Sequence, residues 1–163
     1  MRPVAPGAAL LYNNTMNIRL MQLSDYEAVY ALWTSCAGMG LNNFDDSKEG
    51  ITAFLKRNPE SCFVAENENP KEIAGVILAG HDGRRGYIYH TAVHPDYRTR
   101  GIGSRLVASA LSALKKLGIH KAALVVFAQN ESGNTFWEHQ GFSVRDDLVY
   151  RNKTLSDIRR TDT

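Results

Sequence analysis

The chain has 163 residues, a formal net charge of +2 at pH 7, 44 % hydrophobic residues and 22 % charged ones. That is the composition of one ordinary globular domain large enough to bury a core, and it excludes a disordered chain and a membrane bundle. A charge this close to zero also lacks the basic stripe with which nucleic-acid binders displace counterions, so no nucleic-acid partner is expected and any anionic ligand must be held locally.

Residues 1–15 contain Pro3, Pro6, Gly7 and a short apolar run from Ala8 to Tyr12. The run is too brief to cross a membrane and too weakly charged for a signal peptide, so no membrane association and a cytoplasmic location are expected. The segment reads as a flexible extension or a non-native start before a single domain over residues 16–152. Residues 153–163 read as a polar tail, and fraying is expected from Arg151 onward.

Asn17 to Leu23 alternates polar and apolar residues, the pattern of a half-buried strand. Ser24 and Glu27 have the spacing of a capping box, and Tyr26, Val29, Tyr30, Trp33 and Ala37 repeat at helical intervals up to the glycines at 38 and 40. Ser47 to Arg57 predicts a second helix with Ile51, Phe54 and Leu55 as its stripe and Pro59 beyond its end. Cys62 to Glu66 and Glu72 to Ala79 read as an antiparallel hairpin around a polar turn. A glycine-rich turn, Gly80 to Gly86, leads into a third run, Tyr87 to Val93, which Pro95 stops.

The strongest helix signal runs from Ile102 to Leu117, with Lys115 and Lys116 suited to the negative end of its dipole and Gly118 to its stop. Ala122 to Phe127 then forms a continuous apolar run, as expected of a strand buried on both faces and parallel to Tyr87–Val93. Asn130 can cap a last helix carrying Phe136 and Trp137, with Gly141 as its left-handed stop and Phe142 to Tyr150 as a closing strand pair. The resulting class is α/β with a mixed sheet, mostly antiparallel strands with a central parallel βαβ unit.

The segment His94-Pro95-Asp96-Tyr97-Arg98-Thr99-Arg100-Gly101-Ile102-Gly103-Ser104 joins a strand end to a helix start. A helix start offers unpaired amides and a partial positive charge, and so favours a phosphate. Gly101 and Gly103 lack the Cβ atoms that would hold a pyrophosphate away, and Arg98 and Arg100 can add charge-assisted bonds. Glycines at such a turn also serve tight packing alone. A dinucleotide fingerprint would want glycine at Leu106 and an acidic residue near Lys121, and a nucleotide P-loop would want lysine at Ser104, so neither reading fits.

Arg98-x-x-Gly101-x-Gly103, after a strand and opening a helix, resembles the acetyl-CoA signature of the GNAT N-acetyltransferase superfamily. Asn130 to Phe142 resembles that family's second signature, Asn-x-x-Ala-x-x-x-Tyr-x-x-x-Gly-Phe, with Trp137 in the tyrosine place. The likeness covers about four fifths of the chain and follows the family's segment order. Gly83-Arg84-Arg85-Gly86 and His94 to Arg98 are similar to a bacterial branch of uncharacterised acetyltransferases, a likeness that identifies no substrate.

The resemblance implies a GNAT-like acyl-CoA N-acyltransferase fold, with acetyl-CoA as co-substrate and an amine on a small molecule or a protein as acceptor. It places the backbone of Ala92 and Val93 beside the pantetheine arm and the amides of Arg98, Thr99, Arg100, Gly101, Ile102, Gly103 and Ser104 on the pyrophosphate. Asn130 then stands near the thiol end, with Trp137 close by, and a homodimer would be in keeping with relatives.

Transfer by direct attack in a ternary complex needs a base, because an alkylammonium is almost wholly protonated at neutral pH. His90 is the first candidate, and a hydrogen-bonded strand histidine is the plainer reading of the same residue. Tyr87 and Tyr89 either relay protons or pack. A backbone amide at Val93 or its neighbour would hold the oxyanion. Trp137 donates a hydrogen bond but cannot protonate a thiolate. By the same resemblance Trp33, Phe44, Asp45, Asp46 and Glu49 lie on the acceptor wall, and a solvated loop with core aromatics is the alternative. Cys36, Cys62 and the remaining histidines lack metal-ligand spacing, so no metal is expected. A coenzyme A sensor without turnover is the competing function, motivated by Trp137. A larger acyl group is disfavoured by the bulk of Phe136 and Trp137.

Overall fold

A computed structural model describes residues 15–162. Five strands stand in sequence order across one sheet: β1 (Met16–Leu20), β2 (Phe63–Glu68), β3 (Lys71–His81), β4 (Gly86–Val93) and β5 (Ala122–Ala123). The first four are antiparallel, and β5 runs parallel to β4. Helices α1 (Tyr26–Ser35) and α2 (Lys48–Arg57) precede β2. Helix α3 (Ile102–Lys116) makes the right-length crossover from β4 to β5, and α4 (Glu131–His139) follows.

The sheet separates two cores. Val64, Val76, Leu78 and Ala92 pack on Val29, Leu32 and Trp33 of α1 and on Ile51 of α2. On the other face Ala65, Ile77, Ala79 and Ile88 meet Ile102, Leu106, Val107, Ala110 and Leu114 of α3. The stripe expected for the long helix is thus its buried face. Gly101 at φ 75° and Gly118 at φ 79° punctuate its two ends.

Ser47 caps α2 by accepting from the Gly50 amide at 3.0 Å. The expected Ser24–Glu27 box does not form. A 3-10 turn over Leu23–Asp25 leads into α1, and the reciprocal bond comes from the Gln22 amide to Asp25 at 2.8 Å. Asp25 is better placed because Arg19 holds its carboxylate with two bonds of 2.8 Å.

Arg19 also reaches Glu66 at 2.9 Å, so one guanidinium ties β1, the turn and β2 together. Burial opposes ionisation of Asp25, but Arg19 and the Gln22 amide outweigh it and hold its carboxyl below the usual range. The hydrogen bond from Arg19 does the same for Glu66. Carboxyls depressed in the fold contribute stability above their unfolded values of 3.8 and 4.5 and lose it as pH falls through the lower folded values. Arg19→Met is therefore expected to cost about 2 kcal/mol at neutral pH. Its melting temperature should fall less than the wild type's below about pH 4. Parallel acid-induced losses in the two proteins would contradict that account.

Three further features depart from the sequence reading. Ala122 to Phe127 pairs with β4 only at Gly86–Ala122 and Tyr87–Ala123, and beyond them exposure alternates, with Val125 60 % exposed. It is not a strand buried on both faces, because β4 and β5 diverge. Phe142 to Tyr150 adds no ladder, which leaves the parallel pair at one end of the sheet and not at its centre. The polar tail is tied down near its end, where Asn42 bridges to Arg160 and the Thr161 amide donates to Leu41 O at 2.9 Å. Asp162 accepts from the Gly40 amide at 2.7 Å, which gives this last stretch a fixed place over the α1–α2 connection.

Among the described residues no helix is long and apolar enough to cross a membrane.

Candidate active site

The divergence of β5 leaves the edge of β4 beyond Tyr87 without a strand partner. The His94 amide donates across to Ala74 O at 2.8 Å, so by strand alternation the Val93 N–H and C=O face away from β3 into the opened edge. Val93 O is met there by Arg98 Nε at 3.1 Å and by the Cys36 thiol at 3.9 Å.

Directly after this edge the chain bends into α3. Thr99 at φ 62° and Gly101 at φ 75° are both left-handed, and for a β-branched threonine that is an outlier of the kind found at ligand-binding turns. Alternating handedness turns successive amides to one side, forming an anion-receptive concavity. Among the described residues the amides from Thr99 to Ser104 have no hydrogen-bond partner, and the first turn of α3 carries no acidic side chain. Open space lies where a Cβ at Gly101 would point.

Gly103 has a different reason to be glycine. A Cβ there would stand 3.1 Å from the Phe136 ring, so this residue lets α4 approach α3. Ser104 joins the same contact by accepting from Gln140 at 2.9 Å. The two arginines part company. Arg98 turns back to Val93 O and Cys36, whereas the Arg100 guanidinium lies over the Tyr97 ring at 5.3 Å. There it faces a separate cavity of about 420 Å³ beside Pro70, Glu72 and His94.

On the far side of the opening Asn130 caps α4 by accepting from the Gly133 amide at 3.0 Å. The α1–α2 connection closes toward it: a Cβ at Gly38 would lie 3.9 Å from Asn130 Nδ2, and one at Gly40 would lie 3.3 Å from the Phe127 ring. Trp137 is half-buried between Phe136 and Phe142, with ring centroids at 5.0 and 5.2 Å. Ala92 is buried in the α1-side core.

His90 owes its position to a bulge. Between the pairs Ile77–Thr91 and Ala79–Ile88 the β4 path is longer by a residue, so Tyr89 and His90 both stand opposite Leu78. Strict alternation would have sent His90 to the face opposite Tyr89. The bulge brings both to the α1–α2 side, where Tyr89 meets Phe54 edge-on at 5.5 Å and His90 meets Trp33 at 5.1 Å. His90 Nε2 lies 2.6 Å from Asp46 Oδ1. Asp46 is 3 % exposed and accepts from the Asn42 amide at 2.7 Å, while its carbonyl takes the Tyr26 hydroxyl at 2.8 Å.

Burial pushes the Tyr87 and Tyr89 phenols up, so both remain protonated near neutrality and can donate but not act as bases. The Cys62 thiol, enclosed in the core, is pushed up to about 11 and is inert. The remaining residues of the expected acceptor wall divide: Trp33 is core, Phe44 and Asp45 are exposed, and Glu49 faces solvent from the first turn of α2. The sequence reading named Asp46 only as part of that wall. Its bond to His90 spans forty-four positions and rests on a bulge that leaves no mark in residue type.

A mixed sheet that splays beside an amide-rich helix start is the architecture of N-acetyltransferases. The structure superposes with a TM-score of 0.70 on the PaiA N-acetyltransferase of Thermoplasma acidophilum, solved in complex with coenzyme A, at 21 % identity and covering 81 % of this chain and 92 % of that one. An aminoglycoside N-acetyltransferase solved with CoA also gives 0.70, at 18 % identity and covering 88 % and 98 %.

The acetyltransferase (GNAT) family model matches residues 26–142, and the chain belongs to that family. Acetyltransferase SG1711 of Sodalis glossinidius is 33 % identical over 140 residues, covering 86 % of this chain and 96 % of the relative. Acetyltransferase ECA0875 of Pectobacterium atrosepticum is 32 % identical, covering 87 % and 98 %. The protein is accordingly an acetyltransferase enzyme.

Proposed function

We propose that the enzyme passes the acetyl group of acetyl-CoA to a primary amine by direct attack in a ternary complex. The observation that carries this reading is the run of unpartnered amides from Thr99 to Ser104, beside a strand edge whose Val93 N–H faces the same opening. The diphosphate of the co-substrate would rest on those amides and the helix dipole. The pantetheine would add to the free edge at Ala92 and Val93, and Asn130 would face its thiol end. The Val93 amide would donate to the oxyanion formed as the amine attacks. His90 would remove the proton that an alkylammonium carries at neutral pH.

Acceptor and cofactor arrive from opposite sides of β4 in this scheme. Tyr87, Tyr89 and His90 stand on the α1–α2 side, and the two phenol rings suit a cationic group with an apolar body.

A second reading, a coenzyme A sensor that does not turn over, is favoured by one residue. The half-buried Trp137 occupies the position of the family's tyrosine, and an indole supplies no proton to a departing thiolate. A thiol of ordinary pKa near 8.5 leaves tolerably as thiolate, so the tryptophan lowers no barrier but blocks none.

Thiol release from acetyl-CoA, followed across a library of primary amines, is expected to depend on amine with at least one member of the library. Acetyl-CoA binding with no amine-dependent release would replace the enzyme reading by the sensor.

A further inference from the structure

His90 has two ring nitrogens, and only the one with a free lone pair can act as a base. We propose that Asp46 is a positioning residue that fixes His90 in the Nε2–H tautomer, leaving Nδ1 as the atom that removes the acceptor's proton. The inference rests on the amine-acetylating reading above and adds to it a residue from another element of the fold.

Geometry supports it in three ways. The Nε2 to Oδ1 distance of 2.6 Å is that of a charge-assisted bond, and a carboxylate can only accept, so the shared proton belongs to Nε2. Asp46 is itself fixed, since its other oxygen takes the Asn42 amide and its carbonyl takes the Tyr26 hydroxyl. The ring is held on a further side by Trp33, and among the described residues Nδ1 has no partner. A neutral imidazole whose Nε2 carries hydrogen has its lone pair on Nδ1.

The chemistry then balances. Nδ1 takes one proton from the ammonium, and the imidazolium formed is stabilised by the carboxylate at Nε2. The freed amine lone pair makes the N–C bond, the carbonyl pair moves to oxygen, and its return expels the thiolate with the C–S pair. The tetrahedral nitrogen gives its second proton to the thiolate, and His90 returns its proton to water. The products are the acetamide, free thiol and one released proton.

The ring itself meets Asp46 from the α1–α2 connection and Trp33 from α1; beyond them Tyr26 reaches the Asp46 carbonyl, Asp45 and Tyr87 face Tyr89, and the Cys36 thiol turns to Val93 O. Burial raises the phenols of Tyr26, Tyr87 and Tyr89, which therefore stay protonated near neutrality.

The test uses the full chain with acetyl-CoA and an amine that it acetylates. Nitrogen-15 spectra of the wild-type histidines should show His90 as the Nε2–H tautomer, assigned by its loss in His90→Gln. Asp46→Asn should lower kcat about a hundredfold with KM for acetyl-CoA unchanged, and move the acid limb of kcat/KM to lower pH, since the anion that favours imidazolium is gone. His90→Gln, whose folded fraction is checked by urea denaturation because the ring is only 16 % exposed, should lower kcat at least as far and abolish that limb. An Nδ1–H tautomer in the wild type, or a wild-type rate and limb in His90→Gln, overturns the pair while leaving acetyl transfer standing. Absence of turnover with every amine, despite acetyl-CoA binding, overturns the enzyme reading itself and the catalytic pair with it.

Discussion

Gly101→Asp is expected to weaken acetyl-CoA binding at least a hundredfold, whereas Gly101→Asn should weaken it no more than about tenfold; a hundredfold is about 2.7 kcal/mol. Both side chains must adopt φ near 75°, where asparagine and aspartate are the best tolerated residues other than glycine, at a similar cost of about 1 kcal/mol. Nothing lies within 4 Å of the position a Cβ would take, so neither variant strains the fold by contact. The two differ by one negative charge placed at the dipole's positive end, among the amides from Thr99 to Ser104. If a diphosphate rests there, the carboxylate both repels it and competes for its donors. Calorimetry on the pair isolates that effect. Equal affinities would move the diphosphate elsewhere. Gly103 is a poorer site for this test, because any side chain there strikes Phe136 and shifts α4 along with the charge.

The parts of the fold legible in the sequence are those whose cause is local. Ser47 caps α2 and Gly118 follows α3 as their neighbours require, and the apolar stripe of α3 is the face that packs on the sheet. The strand–turn–helix that holds Thr99 to Ser104 is legible for the same reason: Pro95 and Gly101 impose it within a few residues. What was not legible depends on partners distant in sequence. Asp25 displaces the expected Ser24 cap because Arg19, itself held by Glu66 from β2 forty-seven positions away, reaches its carboxylate. Ala122 to Phe127 is apolar enough for a buried strand, yet its pairing ends where β4 swings away, and that divergence is a property of two strands and not of one.

The candidate site divides along the same line. The loop's amide cradle follows from its own residues, but the directions of Arg98 and Arg100 do not. Both carry the same charge and stand two residues apart. One turns to Val93 and Cys36 and the other to Tyr97, because a left-handed Thr99 between them rotates the chain. The bulge opposite Leu78 is the clearest instance: it alone puts Tyr89 and His90 on one face and thereby joins His90 to Asp46.

Gly50→Ala is expected to destabilise the protein by about 3 kcal/mol and to lower acetyl transfer more than acetyl-CoA affinity. Gly50 sits in the first turn of α2 beneath the connection that carries Asp46. A Cβ there would stand 2.2 Å from Phe44 O and 2.5 Å from Asp45 O, backbone atoms that cannot rotate aside. The connection must lift, and the Ser47 hydroxyl that bonds Phe44 O at 2.7 Å must lift with it or release its hold. Asp46 follows Asp45 directly, so its 2.6 Å bond to His90 cannot survive such a displacement unchanged. The amides at the start of α3 belong to the turn and helix that follow Val93, not to the connection that lifts, so acetyl-CoA affinity is expected to change less. Ser47→Ala is the control, since it removes the cap for about 1 kcal/mol without pushing the backbone. Urea denaturation and the split between kcat and KM for acetyl-CoA check the pair of variants. A Gly50→Ala protein as active as Ser47→Ala at equal folded fraction would mean that the geometry at Asp46 does not govern the reaction, and that His90 works without it.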